Sequence, residues 1–171
     1  MITARRAARE AALLVLFAVD ARHHRRVDDV EGALTDFAAH FNADEELLGD
    51  LFADGGDEPP AGLIRRARKI LDPQGEHWPF VERLVRGVAA HARAIDELIG
   101  KSSLNWKVAR MGRVDRSVLR LAVYELAFES DVPSKATLNE AIEIAKRYGT
   151  EDSGKFVNGI LDRIAQDLER V

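Results

Sequence analysis

The spacing of apolar residues constrains this chain more than any other feature. Through most of its 171 residues, apolar side chains recur every three or four positions. That period places them on one face of an α-helix. No segment alternates apolar and polar residues convincingly, as a half-buried strand would. The sequence therefore predicts an all-α fold.

Prolines, glycines and capping residues divide the helical pattern. One apolar series runs through residues 78–100, with proline in its first turn and glycine at its end. A later helix must end before Pro133, because the residue ahead of proline resists the α conformation. Gly149 is a plausible residue just beyond the next helix, and Thr150 or Asp152 is placed to cap the last one.

Composition predicts three regions along the chain. The stretch DGGDEPPAG (residues 54–62) cannot continue a helix and reads as an acidic linker. A short basic piece, LIRRARKIL, follows it, and DPQGEHWP is a second break. We expect an N-terminal helical subdomain over residues 1–53, an inserted linker over 54–77 and a C-terminal helical bundle over 78–171.

Charge is distributed unevenly, although the net charge is only −4. Residues 1–26 contain six arginines against two acidic residues. Residues 27–62 contain eleven acidic residues and no lysine or arginine, and residues 63–171 contain 19 basic against 16 acidic residues. The positive charge of residues 1–26 is thus hidden in the net charge by the acidic residues 27–62. A basic N-terminal segment is a reason to consider a nucleic-acid partner.

Several functional classes find no support in the sequence. No apolar run is long enough to span a membrane. The absence of cysteine excludes disulfides and fits a cytoplasmic protein. The five histidines lack metal-binding spacing, and no glycine-rich phosphate loop occurs. We expect no catalytic residue, no metal and no cofactor.

Three arginines of the first helix, Arg5, Arg6 and Arg9, lie where the helix dipole is positive. Each is mildly unfavourable there, by roughly 0.3–1 kcal/mol. A bound phosphate would be attracted by the guanidinium groups and by free backbone N–H groups together. The alternative is a merely solvated basic terminus. The run RHHRR (residues 22–26) is weaker evidence, because cations at a helix C-terminus are favourable for local reasons.

The last helix has an aromatic residue at the border of its apolar stripe. On a helical wheel Asp152, Phe156 and Gly159 share one flank of that stripe, and Tyr148 could face the same region. An RNA base can stack on such a ring, and a carboxylate can accept a hydrogen bond from a base edge. Equally, Phe156 could complete the core and Gly159 could permit close helix packing.

Four segments in order, VDRSVLRLAVYEL, DVP, LNEAIEIAKRYG and EDSGKFVNGILD, closely resemble the C-terminal half of the transcription antitermination factor NusB family. The stretch RRAAREAALLVLF is similar to that family's arginine-rich first helix. The resemblance covers about residues 3–20 and 78–165. It implies two helical subdomains, no catalysis, and binding of the boxA element of ribosomal RNA leaders together with ribosomal protein NusE, in the RNA polymerase antitermination complex.

The resemblance also assigns residues to those roles. Asp115, near the start of its helix, would face NusE. The positions that match the family's RNA-binding residues are Arg5, Arg6, Arg9, Phe17, Tyr148, Asp152 and Phe156.

This chain departs from the family's pattern at three places. Phe17 lacks the hydroxyl of the usual tyrosine, so stacking could survive but a hydrogen bond could not. The arginine cluster is sparser than in some relatives, which should flatten the salt dependence of binding. Residues 54–77 are longer than the usual connection, and LIRRARKIL could add an RNA contact or simply cover the core.

Two other functions stay open at this point. A similar RNA-binding module precedes some rRNA methyltransferases, but its catalytic domain would have to follow residue 171. A structural helical bundle that dimerises without binding RNA is the other. The preferred RNA sequence and the oligomeric state, including a homodimer, do not follow from the sequence.

Overall fold

The computed structural model describes residues 3–21, 30–40, 62–68 and 71–170. Over these ranges the backbone forms eight α-helices and one turn of 3-10 helix, and it contains no strand. The predicted all-α class is confirmed. The α-helices are α1 (Ala4–Ala21), α2 (Val30–Ala39), α3 (Leu63–Arg68), α4 (Trp78–Ala90), α5 (Ala92–Ser102), α6 (Arg113–Phe128), α7 (Ser134–Tyr148) and α8 (Ser153–Asp167).

Two compact units make up the chain, Met1–Ala90 and His91–Val171. The sequence placed residues 78–90 in the C-terminal bundle, whereas in the structure α4 packs on α1 and α2 within the first unit. The apolar series over residues 78–100 forms two helices, α4 and α5, with a break at His91. Apolar spacing continues through this break, so the pattern alone could not reveal it.

The first unit is built around α1. Every residue from 11 to 18 is at most 7% exposed, because α2, α3 and α4 all pack against this helix. A helix that is apolar on all sides requires such enclosure. Its N-terminus is capped by Thr3, whose Oγ1 accepts a hydrogen bond of 3.1 Å from the Arg6 backbone N–H.

One charged pair lies inside the first unit. The side chain of Glu10 is only 1% exposed, and Arg66 of α3 donates to its two carboxylate oxygens at 3.2 and 3.4 Å. Leu63 of the same helix is fully buried. The described part of LIRRARKIL therefore covers the core and neutralises a buried carboxylate.

The second unit is centred on α6, which packs against α5, α7 and α8. Two of its buried carboxylates accept hydrogen bonds: the Tyr124 O–H donates to Glu129 at 2.8 Å, and the Thr137 O–H donates to Glu125 at 3.3 Å. The predicted stripe of α8 is buried, except that its last member, Leu168, is half-buried. Its buried members are Val157, Ile160, Leu161 and Ile164.

The connection between α7 and α8 differs from its prediction in two details. Gly149 has φ −91° and ψ −157°, outside the left-handed region expected after a helix. Glycine is needed there for space, since a Cβ would lie 2.7 Å from the Ala145 carbonyl oxygen. The Asp152 side chain makes no capping bond; instead Ser153 Oγ accepts from the Thr150 N–H at 2.8 Å.

Two features singled out in the sequence, RHHRR at 22–26 and most of the acidic linker at 54–62, lie outside the described residues. No helix in the described part of the chain is long and apolar enough to cross a membrane.

Candidate nucleic-acid interface

The first candidate surface is a basic cluster around one aromatic ring in the first unit. The guanidinium carbons of Arg5, Arg9 and Arg83 lie 5.5, 5.6 and 5.2 Å from the centroid of the Phe80 ring. Cations at such distances are attracted to the negative face of the ring. Three like charges are thus held close together beside the N-terminus of α1.

The Phe80 ring provides local contacts for two arginines of the first helix, Arg5 and Arg9. Arg9 is buried, at 6% exposure, while Arg5 is exposed and Arg6 is half-buried. Local contacts with Phe80 therefore offset the unfavourable position of Arg5 and Arg9 on the helix dipole. The cluster is preorganised for an anion, because its side chains are already ordered and lose little conformational entropy on binding.

Sequence reasoning missed Phe80 and Arg83 as members of this cluster. A local signal existed, since they are three residues apart on α4 and so share one helix face. Their approach to α1 joins positions more than 70 residues apart, and that could not be read from spacing.

Phe17, the aromatic residue predicted to stack on RNA, lies in the core of the first unit. Its ring is buried, at 3% exposure, within the apolar middle of α1. In this conformation it offers no face to an RNA base. The ring contributes to the hydrophobic core, where a tyrosine hydroxyl would need a buried partner. Its contact with RNA stays a prediction.

The second candidate surface lies in the second unit, where α7 ends and α8 begins. Asp152 is exposed, and Tyr148 and Phe156 are half-buried. The Phe156 N–H donates to the Asp152 carbonyl at 3.0 Å, so the two side chains are one helical turn apart on the same face. An exposed carboxylate beside a partly open ring can accept a hydrogen bond and stack on a base.

Phe156 also contacts an aromatic residue that sequence reasoning did not select. The Trp106 ring meets it edge to face, with centroids 6.2 Å apart and planes 79° apart. Trp106 is 57% exposed, and the neighbouring Leu104 is 73% exposed. Two large apolar residues inside the polar stretch SSLNWK were the available signal.

Asp115 lies in the first turn of α6, where a carboxylate is favoured by the helix dipole. Its Oδ1 atom is shielded from solvent and has no hydrogen-bond partner. Such an atom costs free energy until it receives a donor, which a docked partner could provide.

No group of three or more acidic, histidine or cysteine side chains that could hold a metal occurs among the described residues. The sites just described consist of arginines, aromatic rings and exposed carboxylates. Such groups suit binding by charge, stacking and hydrogen bonding.

The fold and these surfaces define a small all-helical protein of two units with binding surfaces of mixed basic and aromatic character. Comparison with known proteins agrees: a model of the NusB family matches residues 57–166. The transcription antitermination protein NusB of Syntrophotalea carbinolica is 40% identical over 167 residues, covering 98% of this chain and 95% of the relative. The chain belongs to the NusB family.

Solved structures give the same result for the fold. T. maritima NusB matches with a TM-score of 0.62 and 37% identity, covering 98% of this chain and 94% of that one. A chain in the crystal structure of antitermination factors NusB and NusE in complex with dsRNA matches with a TM-score of 0.65 and 26% identity. That match covers 98% of this chain and 99% of the other.

The resemblance identified from the sequence is confirmed by these matches. The related proteins are named as transcription antitermination proteins and not as enzymes, in agreement with the expectation of a non-catalytic protein.

Proposed function

We propose that this protein is an RNA-binding transcription antitermination factor that binds boxA-type single-stranded RNA of ribosomal RNA leaders jointly with NusE. The observation that carries this proposal is the match, over nearly the full length of both chains, to a structure containing NusB, NusE and RNA. In this role the protein acts in the cytoplasm and helps RNA polymerase to transcribe ribosomal RNA operons processively.

The basic cluster of the first unit supplies the phosphate contacts. Exposed Arg5 and half-buried Arg6 contact the RNA backbone, and buried Arg9 attracts it from its position against the Phe80 ring. Arg83, which is exposed, adds a fourth positive charge beside that ring. Phosphate contacts contribute affinity without reading sequence, and they weaken as salt displaces them. Binding should therefore weaken as ionic strength rises, with a slope limited by the small number of arginines.

The surface of the second unit reads unpaired bases. Phe156 and Tyr148 offer ring surface for stacking, and Asp152 accepts a hydrogen bond from a base amino or imino group. Base edges are accessible in this way only when they are unpaired. We therefore propose a preference for single-stranded over duplex RNA, a distinction that the double-stranded RNA of the related complex makes important to test.

NusE binds at the N-terminal end of α6. The unsatisfied Oδ1 of Asp115 is the support for this assignment, because a buried acceptor favours the surface that brings it a donor. Replacing Asp115 by alanine should weaken NusE binding and leave the weak binding of RNA alone unchanged.

Fluorescence anisotropy with a labelled boxA oligonucleotide tests the proposal. The protein alone should bind weakly, binding should tighten when NusE is added, and affinity should decrease as salt rises. An unlabelled duplex of the same sequence serves as competitor and should displace the label poorly. Negligible binding both with and without NusE would contradict the proposal.

Two variants assign the contact to the second unit. Phe156→Ala should weaken binding by about 1–3 kcal/mol, the range measured for loss of a stacked base. Asp152→Asn should weaken it by roughly 1.5–3 kcal/mol, because a neutral amide oxygen replaces a charged hydrogen-bond acceptor. Arg93→Gln is a surface control, because Arg93 is 93% exposed and its ion pair with Glu97 lies within the same helix. A core role for Phe156 would instead appear as a large loss of thermal stability with unchanged RNA affinity.

A further inference from the structure

The turn that follows α5 is held rigidly in place. Inside it, the Trp106 N–H donates to the Ser103 carbonyl at 2.9 Å, and the Ser103 hydroxyl donates to the Trp106 carbonyl at 2.8 Å. From α8, the Arg163 guanidinium donates to the Ser102 carbonyl at 2.8 Å. Residues 103–106, which we name the tryptophan turn, are thus fixed both internally and from the neighbouring helix.

This rigid turn presents its largest side chains to water. Leu104 and Trp106 are the two most exposed large apolar residues in the described part of the chain, at 73% and 57%. Tryptophan held on an ordered surface is characteristic of binding sites, because it offers a large contact area at little cost in conformational entropy. The arrangement indicates that the turn serves an interaction.

A groove lies between the tryptophan turn and α8. Its volume is about 220 Å³, and Phe156, Gly159 and Ile160 line it from the helix side. Gly159 is exposed, and a Cβ added there would meet no atom within 4 Å. Glycine inside a helix is unfavourable, and here no close packing requires it. What glycine provides at this position is open space along the groove.

The charge around the groove selects an anionic occupant. Lys155 and Arg163 line it directly. The segment that carries the turn, residues 101–116, contains five basic residues and one acidic residue, a net charge of +4 (5 minus 1). Positive charge combined with exposed aromatic rings is the composition that binds single-stranded nucleic acid.

We infer that this groove binds an unpaired RNA base, which stacks on Trp106 next to the base contacted by Phe156, while Lys155 attracts the adjoining phosphate. This inference rests on the proposed function and extends its RNA site by one base. Because the Trp106 and Phe156 planes are nearly perpendicular, one base cannot stack on both rings at once. The strand therefore turns between the two contacts.

Intrinsic fluorescence reports on this contact directly. The chain has two tryptophans, and Trp78 is 6% exposed and stacked against Phe37. Trp78→Phe preserves an aromatic ring in that position and leaves Trp106 as the single tryptophan of this chain. Titration with the boxA oligonucleotide in the presence of NusE should quench its emission saturably, and the bound RNA should protect it from quenching by acrylamide.

Two substitutions test the groove by affinity. Trp106→Ala removes the stacking ring, and Gly159→Leu fills the open space. Each should weaken RNA binding by roughly 5- to 150-fold, as expected for one lost base contact. Trp106→Phe should recover most of the affinity. Circular dichroism should show an unchanged helical fold in all three variants.

Failure of this inference is distinguishable from failure of the proposed function. If Trp106→Ala binds RNA like the unmodified protein while Asp152→Asn binds it more weakly, the groove contact is refuted and the proposed function stands. If Trp106→Ala weakens binding of NusE in the absence of RNA but leaves RNA affinity unchanged, the groove is a protein interface and the inference is wrong. No RNA binding by the unmodified protein with NusE would overturn both.

Discussion

Replacement of Arg66 by methionine should strongly destabilise the first unit. Glu10 is buried to 1% exposure, and its two carboxylate oxygens each accept a hydrogen bond from Arg66. Removing one partner of a buried ion pair typically costs about 3–5 kcal/mol, because the other charge stays buried. Arg66 is itself 27% exposed, so water reaches the pair and we expect about 2–4 kcal/mol.

Urea unfolding of four proteins measures this quantity: the unmodified chain, Arg66→Met, Glu10→Gln and the double variant. The loss caused by Arg66→Met should be smaller in the Glu10→Gln background, giving a coupling of roughly 1–3 kcal/mol. Arg65→Met, on the exposed side of the same helix, is the control and should change stability by less than about 0.5 kcal/mol. Equal losses for Arg66→Met and Arg65→Met would refute the reasoning.

The same variants decide the role of the basic segment 63–68. If this segment covers the core, Arg66→Met should lower stability and leave the affinity of the folded protein for RNA unchanged. A loss of RNA affinity at a temperature where the variant is fully folded would support the RNA contact considered from the sequence.

Three further outcomes are expected. Gly159→Ala should raise thermal stability by about 0.5–1 kcal/mol, because the added Cβ meets nothing and helical glycine is unfavourable; a destabilised variant would show hidden crowding. Gly149→Ala should lose about 1–3 kcal/mol in denaturant unfolding, since its Cβ would approach the Ala145 carbonyl to 2.7 Å; unchanged stability would mean that the turn relaxes freely. Hydrogen bonding from Arg86 lowers the pKa of Glu31 below its ordinary value of 4.5. The ion pair therefore stabilises the fold above pH 4.5. This contribution is lost as the pH falls through the lowered pKa. Glu31 is 64% exposed, so the contribution should be below about 1 kcal/mol, and Glu31→Gln should remove this part of the acid dependence in unfolding measured from pH 7 to pH 3.

Local pattern was sufficient for the fold class and for most helices. Apolar spacing identified the buried stripe of α8, and Pro133 correctly marked the boundary ahead of α7, which begins at Ser134. These features depend on neighbours within one or two turns. The helix break at His91 was not predicted, because the apolar spacing continues unchanged through that position.

Long-range contacts account for what the sequence did not predict. Glu10 and Arg66 are 56 residues apart in the sequence. Their ion pair gives Arg66, which belongs to a basic segment typical of a surface, a role in neutralising a buried carboxylate. The Phe80 ring that gathers Arg5 and Arg9 comes from another helix. Burial of Phe17 depends on every helix that packs around α1, so its spacing could not distinguish a core ring from a stacking ring.

Binding of boxA RNA by surfaces of both units is the central claim. Ultraviolet crosslinking of boxA RNA to the protein in the presence of NusE tests it most directly, with crosslinked peptides identified by mass spectrometry. We expect crosslinked peptides from the basic cluster at residues 5–9, from the tryptophan turn at 103–106 and from residues 148–156. Crosslinks confined to other segments, such as 63–68 or 92–100, would contradict the proposed interface.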